Sequence, residues 1–193
     1  MPETKTPSPV TISLETPHYI LRTLEPGDAT PAWQEWMTDD VAVRNLNARP
    51  TTIALDQIRD YIEKHDRTTS HILGMFEKET GLLVGVRVIY VDPAHKEFLV
   101  NVLVGEAQAR GKGARSETAD VIYRYFFEEL GLESARCHVL ASNEEIIGVM
   151  HRRGWSREHV DRVPAASGAG SVERQHFRLT RDAWRAREAK KNS

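Results

Sequence analysis

The stretch VLVGEAQARGKGARSET, Val102–Thr118, decides the fold. Its opening residues are apolar and β-branched and too few for a helix, so they read as the end of a strand. A loop with two glycines and three basic residues follows, and then an uninterrupted amphipathic pattern begins. A loop of this kind lays several backbone N–H groups around a phosphate, and the helix behind it adds the positive end of its dipole. Gly111 and Gly113 permit close approach and positive φ, while Arg110, Lys112 and Arg115 supply charge. The stretch predicts a strand, a pyrophosphate cradle and a helix.

Outward from this centre, the helix is expected over about 113–130, with Thr118, Val121, Ile122, Tyr125 and Leu130 as its apolar stripe and Gly131 as its stop. Upstream, SHILGMFEKETGLLVGVRVIYVD reads as two antiparallel strands turning near Glu79–Gly81, and Phe98–Gly105 as a third. Downstream come a strand over Ala135–Ser142, a short helix over Glu144–Arg153 capped by Asn143 and ended by Gly154, and a last strand over Gln175–Thr180. Val163–Ser171, rich in Gly, Ala and Ser, reads as a mobile loop. Near the start, His18–Pro26 is a first strand. Asp28 is the expected cap of a helix carrying Trp33, Trp36 and Met37 as core residues, and a second helix over about 55–65 buries Ile58, Tyr61 and Ile62. The pattern predicts an α+β fold, a mixed, mostly antiparallel sheet flanked by helices. One domain over 12–185 is expected, between a disordered tail at 1–11 and a charged tail at 186–193.

A chain of 193 residues, 40% hydrophobic, can build one core but hardly two. The net charge of −2 gives no global attraction to nucleic acid or an anionic membrane, so neither is expected as a partner. Cys137 is the only cysteine, which excludes an internal disulfide and a cysteine zinc site; no metal is expected. No apolar run approaches the roughly 20 residues needed to span a bilayer, and a cytoplasmic protein is expected.

Counting separates the phosphate loops. A nucleotide P-loop needs GxxxxGK followed by Ser or Thr. Gly105 stands one residue too far from Gly111-Lys112, and position 113 is glycine. A dinucleotide fingerprint needs GxGxxG in the first strand–helix unit, whereas position 116 is serine and this unit begins past residue 98. What remains is Q-x-R-G-K-G-A, Gln108–Ala114, at a helix start. Here the chain resembles the GNAT superfamily of acyl-CoA-dependent N-acetyltransferases, whose loop is commonly Q/R-x-x-G-x-G/A. Four further features match one branch: Ser116-Glu117 on the helix, Asn143 in LASNEE, the RRGW at Arg152–Trp155, and the opening YILRTLEPGDA followed by WQEWMTDDVAVRNL. That branch includes acetyltransferases of ribosomal-protein N-termini, and amino-sugar and polyamine acetyltransferases are similar. The likeness spans about 12–185.

The resemblance implies transfer of an acetyl group from acetyl-CoA to a primary amine, by direct attack in a ternary complex. The acceptor would be a small molecule or a protein N-terminus, and a homodimer is common among relatives. The cofactor would lie on Val102, Leu103 and Val104 of the strand and on Gln108, Arg110, Gly111, Lys112, Gly113, Ala114 and Arg115 of the loop and helix start. Asn143 would contact it or simply cap its own helix. In the family the strands holding Val102 and Ala135–Ala141 splay apart to admit the acyl arm.

The chain departs from the family where protons move. The usual tyrosine of N-x-x-x-I-x-x-Y falls on Met150, which cannot donate a proton. His151 is next in sequence but about 100° round the helix. Glu97, just before the central strand, is its nearest carboxylate, and His138 lies mid-strand. These three are the catalytic candidates, each of which also reads as structural. Cys137 has no partner at a spacing that would activate it and reads as a buried strand residue. The missing tyrosine leaves a second reading open, a silent acyl-CoA-binding sensor.

Overall fold

A computed structural model describes residues 8–191. Eight strands form one sheet in the order β1-β2-β3-β4-β5-β6-β8-β7. β1 (Ser13–Glu15) and β2 (Tyr19–Thr23) make an edge hairpin against β3 (Ser70–Glu77). β4 (Leu83–Asp92) pairs with both β3 and β5 (Glu97–Val104), and the β3–β4 turn closes through Gly81 at φ +71°. β5 then leads through the glycine loop and α4 (Ala114–Arg124) to β6 (Ser134–Leu140), which lies parallel to it. β8 (Ser171–Thr180) and β7 (Ser156–Pro164) complete the sheet as a long hairpin. The architecture is the expected α+β, mostly antiparallel, with a single parallel pair at its centre.

That pair is short. Glu97, Phe98 and Leu99 face Ser134, Ala135 and Arg136, and beyond these the two strands part. Val100–Val104 keep β4 as their partner on one side only.

The sheet has two cores. On one face α4 and the turn that follows it pack Ile122, Phe126 and Phe127 against Phe98, Val100, Ala135 and Phe177, joined by Trp155 and Trp184. On the other, α1 (Pro31–Thr38), the short α2 (Asp40–Val43) and α3 (Leu55–Glu63) set Trp33, Trp36, Val43, Ile58 and Ile62 over Val86, Val88 and Leu103. α5 (Glu144–Arg152) follows β6, and α6 (Arg181–Lys191) is seated by buried Trp184. No helix among the described residues is long and apolar enough to cross a membrane.

Several sequence expectations shift. α4 ends in a π-helical turn, Tyr125–Glu129, which adds a residue to the turn and rotates everything after it. Phe126 and Phe127 face the core with Ala114, Thr118, Ala119, Ile122 and Tyr123 of the helix before them, while Leu130, expected in the stripe, is 42% exposed. Thr30, not Asp28, caps α1: its side chain accepts from Trp33 N–H, and Pro31 opens the helix. The Asp28 carboxylate is occupied by Arg22 at 2.6 Å and the Glu25 N–H at 2.8 Å. β1 and β7 are additional strands. The Gly/Ala/Ser segment is the tip of the β7–β8 hairpin, held by Asn47, which donates to Pro164 O and accepts from Ala166 N–H, both at 2.9 Å. Residues 1–7 of the expected N-terminal tail lie outside the described residues, while Val10 already donates to Arg67 O at 2.8 Å.

Candidate functional site

After Val104 the chain leaves the sheet at Gly105, whose N–H and that of Glu106 both donate to Val84 O at 3.1 Å. A Cβ on Gly105 would lie 1.9 Å from the Trp36 ring, so only glycine fits there. Gly111 (φ +76°) and Gly113 (φ +85°) turn the chain into α4, and a Cβ on either would meet nothing within 4 Å. Glycine is needed here for its torsions, and the space above the loop is open. The first N–H groups of α4, Ala114, Arg115 and Ser116, have no acceptor within the helix, whose first bond runs from Glu117 N–H to Gly113 O.

The basic residues behave differently from one another. Lys112 is exposed on the loop. Arg110 folds back: its guanidinium donates to Asp39 Oδ2 and Gly105 O, both at 2.5 Å, and to Val104 O at 3.3 Å. Its side chain braces the loop against the α1–α2 junction, leaving its backbone at the opening. Burial lowers the pKa of Arg115, whose carbonyl accepts from Arg87. Gln108 is exposed in a short 3-10 turn, Ala107–Ala109. Glu117, of the Ser-Glu pair, accepts from His18 N–H at 2.8 Å and ties α4 to the start of β2.

Arg87 was not anticipated. It lies on β4, opposite Val102, with its side chain fully buried beneath α4. It donates to Thr118 Oγ1 at 3.0 and 2.9 Å and to Arg115 O, and no carboxylate among the described residues pairs with it. Burial pulls its pKa down to about 10, so it is still a cation at neutral pH. A positive charge therefore stands buried against the first turns of α4, at Arg115 and Thr118. The signal was visible as an arginine inside the apolar run LLVGVRVIYV.

The proton-transfer candidates separate. Glu97 sits at the paired end of β5 and β6, between Arg136 (3.1 Å) and Arg178 (3.6 Å), three to seven residues along the strand from Val100–Val104. It closes the strand pair and is not near the glycine loop. His151 is exposed and packs edge-on against Phe177 with ring centroids 5.5 Å apart. Met150 packs on the main core. Cys137 faces that same core, and burial pushes its thiol up to about 12. Asn143 caps α5, its Oδ1 accepting from Ile146 N–H at 3.4 Å.

His138 is different. It stands two residues past Arg136, level with Asn101, which stands two past Leu99, so both point to the α1–α3 face across the splay. Its ring lies 4.3 Å from that of His176, which stacks on His159 at 3.9 Å. Asp161 Oδ1 is 3.0 Å from His176 Nε2, and Arg174 holds the same carboxylate at 2.6 Å. Burial first, then the His176 neighbour, pull His138 down to about 4, so its imidazole is neutral at physiological pH. No group of three or more His, Cys, Asp or Glu among the described residues is arranged to hold a metal.

Asn101 also lines a cavity of ≈ 530 Å³ between the helices and the sheet. Val86, Val88 and Leu103 floor it, and Trp33, Ile58 and Tyr61 wall it from α1 and α3. Tyr90 and Val102 complete the side next to the splay. Tyr61, expected in the core, is 39% exposed because its ring borders this space.

A family model described as an acetyltransferase (GNAT) domain matches residues 18–156. The chain belongs to the GNAT acetyltransferase family. No curated protein matches it. Among solved structures, it is similar to a GNAT-family acetyltransferase from Bacillus anthracis (TM-score 0.74, 17% identity, 89% of this chain and 99% of that one). It is similar also to a spermidine N-acetyltransferase from Vibrio cholerae in complex with CoA and spermine (TM-score 0.75, 15% identity, 86% and 98%). A third is a ribosomal-protein-S5-alanine acetyltransferase from Vibrio fischeri (TM-score 0.70, 15% identity, 90% and 98%). Identities this low carry the fold alone.

Proposed function

We propose that this chain transfers the acetyl group of acetyl-CoA to a primary amine, by direct attack within a ternary complex. One observation carries the reading: the splay of β5 from β6 opens beside a glycine loop whose free amides start α4. An anion at that loop meets the N–H groups of Gly111 and of Gly113–Arg115, the Lys112 ammonium and the field of buried Arg87, a cradle that fits a pyrophosphate. The unpaired edge of Val102–Val104 offers backbone groups to the pantetheine arm. Gln108 in the loop and Asn143 at the start of α5 complete the residues we assign to the cofactor. The acetyl thioester supplies an activated carbonyl carbon.

The residues of the chain then have three tasks. A strand amide at Val102 or Leu103 polarises the carbonyl oxygen. The cavity holds the amine on the Asn101 side of the splay, so that proximity contributes on the order of 10⁵ M in effective concentration. His138, neutral at physiological pH, accepts the proton released by the nitrogen, with His176 and Asp161 behind it to spread the charge. Met150 takes no part in this, and the departing thiolate draws its proton from solvent.

The test is calorimetry of the purified protein with acetyl-CoA, followed by CoA-thiol release against a panel of amines and N-terminal peptides. Absence of acetyl-CoA binding refutes the proposal. Binding with no thiol release under any acceptor favours instead a silent acyl-CoA sensor, the reading that Met150 in place of the tyrosine motivates.

A further inference from the structure

The cavity at the splay has an unusual lining for an amine site. None of its thirteen residues is Asp, Glu, Lys, Arg or His. Its polar side-chain groups are the carboxamides of Asn101 and Gln57, the hydroxyls of Tyr61 and Tyr90 and the indole N–H of Trp33, all uncharged, and everything else is apolar. The two tyrosines stand close enough that burial and the Tyr90 hydroxyl together push Tyr61 up to about 12, so Tyr61 stays uncharged. The cavity's ≈ 530 Å³ lies within the usual range for small-molecule sites.

We infer that this cavity takes a monoamine on an apolar or aromatic body and rejects polyamines. The inference rests on the acetyl-transfer reading above and names the acceptor class for it. The charge argument has two sides. A polyamine brings several ammonium groups, of which only the reacting one can shed its charge. The others would be desolvated with no carboxylate to pair them, and a buried unpaired charge is strongly unfavourable. A monoamine has only the reacting nitrogen. Desolvation in a neutral cavity lowers its pKa toward the free-base form that attack requires, so binding and activation act together. The remaining body of the acceptor then meets Trp33 and Tyr61 above and Val86, Val88 and Leu103 below, surfaces suited to an aromatic ring. Asn101, at the edge of the splay, is placed to accept a hydrogen bond from the nitrogen.

The experiment measures 2-phenylethylamine, spermidine and an alanine-initiated peptide on the full chain, by calorimetric binding with and without CoA and by CoA-thiol release with acetyl-CoA. The expected result is saturable binding of 2-phenylethylamine and a kcat/KM preference over spermidine of about 100-fold or more. Ile53→Glu, which brings a carboxylate to the cavity wall, is expected to narrow that preference at least about tenfold. Spermidine or the peptide binding as well as 2-phenylethylamine, or turned over as well, overturns the inference, as does failure of the wild-type chain to bind the monoamine. The binding arm without CoA needs no acetyl transfer. A chain that binds 2-phenylethylamine selectively but neither binds nor uses acetyl-CoA would sustain the cavity and sink the acetyltransferase reading.

Discussion

Replacing Gly113 by alanine isolates what the loop contributes. Gly113 precedes α4 at φ +85°, and a Cβ there would touch nothing within 4 Å. The penalty is therefore torsional, about 1–2 kcal/mol for an L-residue held in the left-handed region. At about 2–4 °C per kcal/mol for a chain of this size, the melting temperature falls by about 2–8 °C. Alanine escapes the strain by swinging φ negative, which turns an amide out of the cradle. A hydrogen bond to a charged group is worth about 1.5–3 kcal/mol, so CoA dissociation constants rise roughly 10- to 150-fold. Gly131→Ala is the control. It has the same handedness (φ +69°) and the same open surroundings, but it lies at the far end of the helix. It should lose similar stability and no CoA affinity. The measurements are thermal melts and calorimetry with CoA on both variants. Wild-type CoA affinity in Gly113→Ala, or an equal loss of CoA affinity in the two variants, would refute the cradle.

Gly105→Ala drives a methyl into the Trp36 ring. It should destabilise by about 1–3 kcal/mol in urea and raise the KM for the amine, since Trp36 packs on the cavity wall residue Trp33 at 6.1 Å; an unchanged urea midpoint would refute it. Cys137, with its thiol pushed up to about 12, should resist iodoacetamide at pH 8 in the native protein and label only in denaturant, and Cys137→Ala should keep its turnover. His138 titrates near 4 in the folded chain against about 6.5 unfolded, so the unfolded chain binds more protons in between and stability is lost as pH falls through that window. Discounted for its half-exposed position, that loss is about 1–2 kcal/mol. Urea midpoints at pH 7.5 and 4.5 should show a smaller drop in His138→Gln than in wild type, and the variant should lose turnover at every pH; an equal drop would remove His138 as the group responsible.

The stretch Val102–Thr118 was legible because its information is local: β-branched residues, two glycines with positive φ and a 3.6-residue period lie within seventeen positions. The parts that escaped depend on distant partners. β7, SREHVDRVP, has polar residues on both faces, since it is an edge strand with mostly exposed side chains, and only β8 makes it a strand. The π-helical turn breaks the 3.6-residue spacing from which the stripe is read, and it brings Phe126 onto Phe98, 4.9 Å between ring centroids, a strand partner no local pattern shows. Ile58, Tyr61 and Ile62 share one helical face as expected, yet only the isoleucines are buried, because the space beneath Tyr61 is bounded by strands some 25 to 40 residues away. Glu97 looked near the chemistry in sequence, but the parallel register puts it at the closed end of the strand pair. His138 gained its partners from the β7–β8 hairpin, which no local pattern connects to it.

The Arg110–Asp39 pair gives these separate parts a common consequence. Asp39 ends α1 and caps α2 by accepting from Val41 N–H at 2.8 Å, while Arg110 reaches it from the glycine loop. Trp36, one turn earlier on α1, rests on the glycine that begins the same loop. The loop that would hold the pyrophosphate and the helix that walls the amine cavity are thus braced on each other through an ion pair and a ring contact. A displacement of the loop by an anion must be carried into α1 or resisted by it, because the side chain of Arg110 spans both. The side chain that the sequence suggested for phosphate binding serves the fold as this brace, so on the proposed reading an anion would meet the loop amides and Lys112, with buried Arg87 acting only through its field.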